Sequence, residues 1–217
     1  MKRRVRVGIF APLLIASVAA GHDYWIVAEP AFPEPGTPVT LRLCGGHRPP
    51  DSEFLIADRM IVRVEATGPY GVEALTSQAM SRHHEAIWTP KTSGVYRVGF
   101  TLKRPRDEQP IAEARTLVVA GDVDDPSAYA SAEGLELVPH VEVSAWRAGA
   151  ALPLAIFHQG EPVAGEIEMT TPRGKPVFRR SSPGQPALFT SPAPGWHLFT
   201  VRHAGRTASL LLQAQAP

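Results

Sequence analysis

Pro38-Val39-Thr40-Leu41-Arg42-Leu43 alternates apolar and polar side chains with period two and then meets Gly45-Gly46. Successive side chains of an extended chain point to opposite faces, so the stretch predicts a β-strand with one apolar face. The same device recurs outward from it. Ile61-Val62-Arg63-Val64-Glu65-Ala66 runs into the turn Gly68-Pro69-Tyr70-Gly71, Glu85 to Pro90 and Gly94 to Phe100 form a strand, a turn and a strand, and Ala114 to Val119 closes the set. Strands about ten residues apart, each ended by turn residues, predict an all-β immunoglobulin-like sandwich over residues 22–120.

A second set follows: Leu135 to Val138, Leu152 to His158, Ala164 to Thr170, Val177 to Arg179, Ala187 to Thr190, Trp196 to His203 and Thr207 to Leu212. It predicts another β-sandwich over 135–217. The acidic, small-residue-rich segment 121–134, with Asp122, Asp124, Asp125 and Pro126, reads as the linker, with a short helix around Ser127 to Ala132. The fold class expected is therefore all-β, two immunoglobulin-like domains in tandem. The 22 prolines and 18 glycines of the 217 residues argue against long helices.

The amino terminus has the grammar of a secretory signal peptide over residues 1–20: basic Lys2, Arg3, Arg4 and Arg6, apolar Val7 to Val18, then small residues. About a dozen apolar residues are too few for a permanent anchor, so no membrane anchor is expected after cleavage. Cutting between residues 19 and 22 places His22 third, second or first in the mature chain. Four of the 22 basic residues lie in this leader, leaving 18 against 21 acidic ones. That balance gives no basic surface for nucleic acid. Cys44 is the only cysteine, so no internal disulfide is available in an oxidising compartment. A periplasmic protein is expected.

Each cleavage register has its own coordination chemistry. A first-position His22 offers its α-amine and ring nitrogen to one ion, as in a histidine brace. A third-position His22 offers amine, two amides and imidazole in a square plane, which suits Cu(II) or Ni(II). In the second position another side chain must complete the site. The first half supplies His47, His83 and His84 as further candidates near strand ends, where loops of a sandwich converge. His83 and His84 are adjacent, so on a regular strand at most one faces His22. Cys44 and His47 share a Cys-x-x-His spacing, and Cys44 falls in the polar phase of its strand, which argues against a fully buried thiol.

His140, His158, His197 and His203 read as structural, the last two ending an apolar strand face with Phe199 and Val201 between them. Trp88, Trp146 and Trp196 read as core or edge aromatics. No Gly-x-Ser-x-Gly, phosphate-binding glycine loop or His-Glu-x-x-His occurs, so no catalytic residue is assigned and no enzyme is expected.

His22-Asp23-Tyr24-Trp25-Ile26-Val27, Pro35-Gly36-Thr37-Pro38 through Leu43, Gly46-His47, Trp88-Thr89-Pro90 with Ser93-Gly94-Val95-Tyr96, Glu133 to Pro139, Gly160 to Gly165 and Pro194-Gly195-Trp196-His197 together resemble the DUF4198 family of exported proteins. That family is related to NikM-like periplasmic components of nickel and cobalt uptake. The resemblance implies a β-rich exported protein that binds nickel or cobalt through His22 and the mature terminus and passes it to an inner-membrane transporter. Cys44 departs from the pattern, and a thiolate there would favour copper or zinc. The alternatives are a copper carrier or histidine-brace copper enzyme, and an immunoglobulin-like binding or structural module without metal.

Overall fold

The computed structural model describes residues 22–103, 112–123 and 134–217. The expected signal peptide and the expected helix near 127–132 lie outside them. Among the described residues the first half contributes β1 (Asp23–Glu29), β2 (Val39–Gly46), β3 (Ile61–Gly68), β4 (Gly71–Ala74), β5 (Gln78–Ala79), β6 (His84–Trp88), β7 (Gly94–Leu102) and β8 (Ala112–Ala120). The second half contributes β9 (Leu135–Pro139), β10 (Ala151–His158), β11 (Glu161–Pro162), β12 (Gly165–Thr170), β13 (Val177–Ser181), β14 (Ala187–Thr190), β15 (Gly195–His203) and β16 (Arg206–Ala214). The all-β expectation holds.

The described strands form three sheets. One has the order β1-β2-β6-β5, a second centres on β10 with β9, β11 and β14 as neighbours, and the third is eight-stranded, in the order β13-β12-β15-β16-β8-β7-β3-β4. The long sheet runs through both halves because β16 pairs with β8 in parallel, Thr207 opposite Ala112 and Leu211 opposite Thr116. Thr116 reinforces the join by donating to the Leu211 carbonyl at 3.0 Å. Beside it, Arg115 binds Glu113 and Glu136, and Arg206 binds Glu113, each at 3.0 Å. Glu113 and Glu136 are buried, and a buried carboxylate stays charged only with partners of this kind.

The alternation seen in the sequence is realised as packing. Val39, Leu41 and Leu43 of β2 join Ile26 and Ala28 of β1, Val98 and Phe100 of β7 and Trp88 in one core. A second core gathers Leu152, Leu154, Phe189, Phe199 and Val201, and also takes Val95, Leu117 and Val119 from β7 and β8. β1 is buried on both faces. Its other face sends Trp25 and Val27, with Cys44, against Leu198 and Leu211 of β15 and β16. The polar phase of β2 therefore does not face water at Cys44. It is covered by the second half, so the thiol is 2% exposed and burial pushes it up to about 12. A thiol buried and held protonated in this way has little thiolate character.

β1 is thus the strand that both halves pack upon. Trp25 is fully buried and its indole N–H donates to the Pro50 carbonyl at 3.0 Å. Ser209 of β16 donates to the Tyr24 carbonyl. The first residues of β1 are fixed from above and below.

Candidate metal centre

The β1–β2 register brings the two leading histidines together. Asp23 stands opposite Gly46 and Tyr24 opposite Gly45, so one more step sets His22 opposite His47. His22 Nδ1 lies 3.3 Å from His47 Nε2, with ring centroids 4.8 Å apart and planes at 75°. Both rings are exposed.

The loop after β2 folds back to hold His47. Gly45 and Gly46 do not stop the strand as their composition suggested, because β2 runs through them. Their function is clearance: a Cβ on Gly45 would meet the Phe54 ring at 2.8 Å, and one on Gly46 would meet Glu53 Cγ at 2.7 Å. Glycine in a strand commonly marks such a close approach. The loop is pinned there by Glu53 N–H to the Gly45 carbonyl at 2.9 Å and Gly45 N–H to Ser52 Oγ at 3.0 Å.

Glu53 then grips His47 twice. The backbone N–H of His47 donates to Oε1 at 3.0 Å, and its ring Nδ1–H donates to Oε2 at 2.9 Å. These bonds hold the Glu53 carboxyl below its ordinary value. They also assign the ring proton to Nδ1, leaving the Nε2 lone pair aimed at His22. In metal sites this carboxylate–histidine arrangement orients the ligand and raises its basicity. Phe54 lies against the other side of His22, ring centroids 4.7 Å apart.

Asp23 anchors the strand on its second side. Its carboxylate accepts from Arg202 Nη2 at 2.7 Å, and Arg202 Nη1 donates to Glu168 Oε2 at 3.3 Å. Burial pushes the Asp23 carboxyl up from its ordinary value, while the Arg202 guanidinium opposes that rise.

Two nitrogens bound at about 2.0–2.1 Å to one ion, and 3.3 Å from each other, subtend roughly 105–110° at it. The pair therefore fits two adjacent positions of one coordination sphere. Among the described residues no three His, Cys, Asp or Glu side chains converge on a common point. Further donors must come from the backbone and chain terminus at His22, from water, or from a partner.

The other expected ligands stand elsewhere. His84 points into the first core, 3% exposed, and its Nε2–H donates to the Ile56 carbonyl at 2.7 Å, with Asp58 Oδ1 at 3.5 Å. Its partner on β2 is Leu43. His83 lies on the opposite face, 3.8 Å from Glu85 Oε2. Neither reaches His22 or His47, because the β6 register ends short of the β2 tip. Glu53 and Phe54 were missed by sequence reasoning. Their signal was Gly45-Gly46, read as a strand end rather than as a surface on which other side chains lie.

Among the second-half histidines, His197 is buried as expected of a core-crossing strand. Its Nε2 is 2.7 Å from Ser191 Oγ and 3.1 Å from the Ala193 carbonyl, and its ring lies against Trp146. His158 and His203 stack edge to face with centroids 5.4 Å apart.

No curated protein sequence matches the chain. Among solved structures it is similar to the D0-D1 domain of intimin, with 13% identity over 89% of this chain and 97% of that one, TM-score 0.29. It is also similar to the Yersinia pseudotuberculosis adhesin InvE, at 12% identity, 88% and 58% coverage and TM-score 0.28. A two fibronectin type-III domain segment from chicken tenascin gives 12% identity, 88% and 98% coverage and TM-score 0.24. The family described as "Domain of unknown function (DUF4198)" matches residues 19–206. That match spans most of the sequence, and the chain belongs to this family.

Proposed function

We propose that the protein is an exported, periplasmic transition-metal carrier that captures Ni(II) or Co(II) at its mature amino terminus and delivers it to a membrane transporter. The observation that carries this reading is the His22–His47 pair, with the Nε2 lone pair of His47 directed at His22 by Glu53. His22 Nδ1 and His47 Nε2 are the side-chain ligands, and the α-amine and adjacent amides of a terminus at or just before His22 supply the rest. Removal of residues 1–20 as a signal peptide creates that terminus.

Without metal, His22 Nδ1–H donates to His47 Nε2. A metal ion at this position takes the His22 Nδ1 lone pair while the neutral ring carries its proton on Nε2; protons compete for the same imidazole and α-amine lone pairs, so affinity rises from about pH 5 to pH 8. An exposed pair with two side-chain ligands suits a cargo that must be released. A histidine brace would set the two ring nitrogens nearly opposite across copper, about 4.1 Å apart, whereas adjacent positions in a square plane lie about 2.9 Å apart. The observed 3.3 Å is the hydrogen-bond separation of the metal-free rings and lies between the two.

Intact mass of the exported protein fixes its first residue, and calorimetric titration with Ni(II), Co(II) and Cu(II) then measures the site. One equivalent bound by the parent and lost in His22→Ala is expected. Equal binding by His22→Ala and parent, or no stoichiometric metal in either, defeats the proposal.

A further inference from the structure

The charges of this chain are segregated along it. Residues 22–168 carry twelve basic and all twenty-one acidic side chains, whereas residues 169–217 carry six basic and none acidic. Two of those six are spent on the acidic part: Arg202 on Asp23 and Glu168, and Arg206 on Glu113. The other four, Arg173, Lys175, Arg179 and Arg180, fall within eight residues on the β12–β13 hairpin. None of the four has an ion-pair partner among the described residues. Glu166 stands opposite Arg180 in the register without pairing with it, and Glu168 is held by Arg202.

The hairpin is also the rim of the molecule's largest sheet. β13 ends the eight-stranded order, and Phe178, Arg179 and Arg180 are all exposed, Phe178 by 49%. A large aromatic left in water amid four unneutralised cations needs an explanation that edge protection by charge alone does not give. Strand addition by an acidic peptide fits poorly. Pro176 lacks an N–H, and the Phe178 carbonyl is already capped by Arg179 Nη1 at 2.9 Å, which leaves little open ladder. An anionic bilayer fits better. Phosphate headgroups neutralise the cations while Phe178 enters the interface, the combination that holds peripheral proteins on membranes.

We propose that the β12–β13 hairpin is a docking surface for an anionic phospholipid bilayer. The surface adjoins the metal centre: Phe178 pairs with Glu168, which binds Arg202, which binds Asp23 next to His22. β13 and β15 are separated by β12 alone, about 10 Å at ordinary strand spacing. Docking would therefore bring the metal centre to the membrane face. The proposal does not rest on metal binding and is tested without it.

The test is co-flotation of the mature protein with vesicles of phosphatidylcholine containing phosphatidylglycerol, against vesicles of phosphatidylcholine alone, at low and high salt. Binding to the anionic vesicles only, abolished by salt, is expected. Arg179→Glu with Arg180→Glu should weaken it at least roughly tenfold, and Phe178→Ser by a smaller factor that persists at intermediate salt. Arg59→Glu with Arg82→Glu makes the same charge change elsewhere and should leave binding within about twofold. Unchanged circular dichroism and melting in all variants keeps the comparison valid. No binding, equal loss in the Arg59/Arg82 control, or capture by an acidic peptide without capture by vesicles overturns the proposal.

Discussion

His22–His47 and His197–Ser191 are built from similar parts and arranged for opposite purposes. Each has an imidazole nitrogen close to a polar neighbour: 3.3 Å from another ring in the first, 2.7 Å from a hydroxyl in the second. The first pair sits at an exposed strand end, its His47 ring positioned by a carboxylate. The second is sealed in the core against Trp146, where its hydrogen bonds close upon Ser191 and Ala193. Accessibility, not residue type, separates a candidate ligand from a structural histidine. The contrast predicts a double dissociation between metal affinity and stability.

The largest effect is expected from His47→Ala, which removes one of the two proposed ligands outright. Nickel or cobalt affinity should fall by more than about a hundredfold, since loss of an outer-shell partner alone typically costs 10–100-fold. The ring is exposed, so the unfolding free energy should stay within about 0.5 kcal/mol of the parent. The mirror experiment is His197→Ala. It leaves a cavity beside Trp146 and Phe199 and strips the Ser191 hydroxyl of a partner, and should destabilise by about 2–3 kcal/mol with metal affinity unchanged. Urea unfolding and metal titration on both variants decide the matter. A His197 variant that weakened metal binding without unfolding would erase the distinction.

Smaller, and more specific to the exposed pair, is Glu53→Gln. The amide keeps the shape of the side chain but supplies a weaker, uncharged acceptor to His47 Nδ1–H and introduces an NH2 that must not face that ring. Metal affinity should drop about tenfold with melting nearly unchanged. An unaltered affinity would show that Glu53 merely folds the loop.

The strands were legible in the sequence wherever one face is apolar and the other wet, as in β2 up to Leu43. They became misleading where both faces are covered. Cys44 lies in the polar phase of β2, yet β15 and β16 close over it, a fact that depends on pairing between residues far apart in the chain. The parallel join of β8 to β16 was invisible for the same reason: neither strand's pattern names its partner. His22 and His47 were each recognisable as candidates. Their meeting needed the β1–β2 register, and the grip of Glu53 needed the return of a loop over two glycines. His83 and His84 failed as companions because strand position, rather than residue type, decides what a histidine can reach.

The finest separation of the two histidine environments comes from acid. Burial lowers the His197 pKa from its ordinary value, so as pH falls the unfolded chain takes up this proton before the folded one does. Its contribution to stability is complete above the ordinary histidine range, and is lost as pH falls through that range to the depressed folded value. Asp23 works with the opposite sign. Its raised pKa adds stability as pH falls from the raised folded value through the ordinary carboxylate range, and because this contribution is common to parent and variant it cancels when a His197 variant is compared with the parent between about pH 7 and 5. His197→Gln, which cannot be charged, should flatten the stability profile over that interval, measured by urea unfolding at stepped pH. Metal affinity should still weaken on acidification in the same variant, because protons compete at His22 and not at residue 197. If stability and metal affinity lost their acid dependence together, the buried and exposed sites would be one coupled system rather than two.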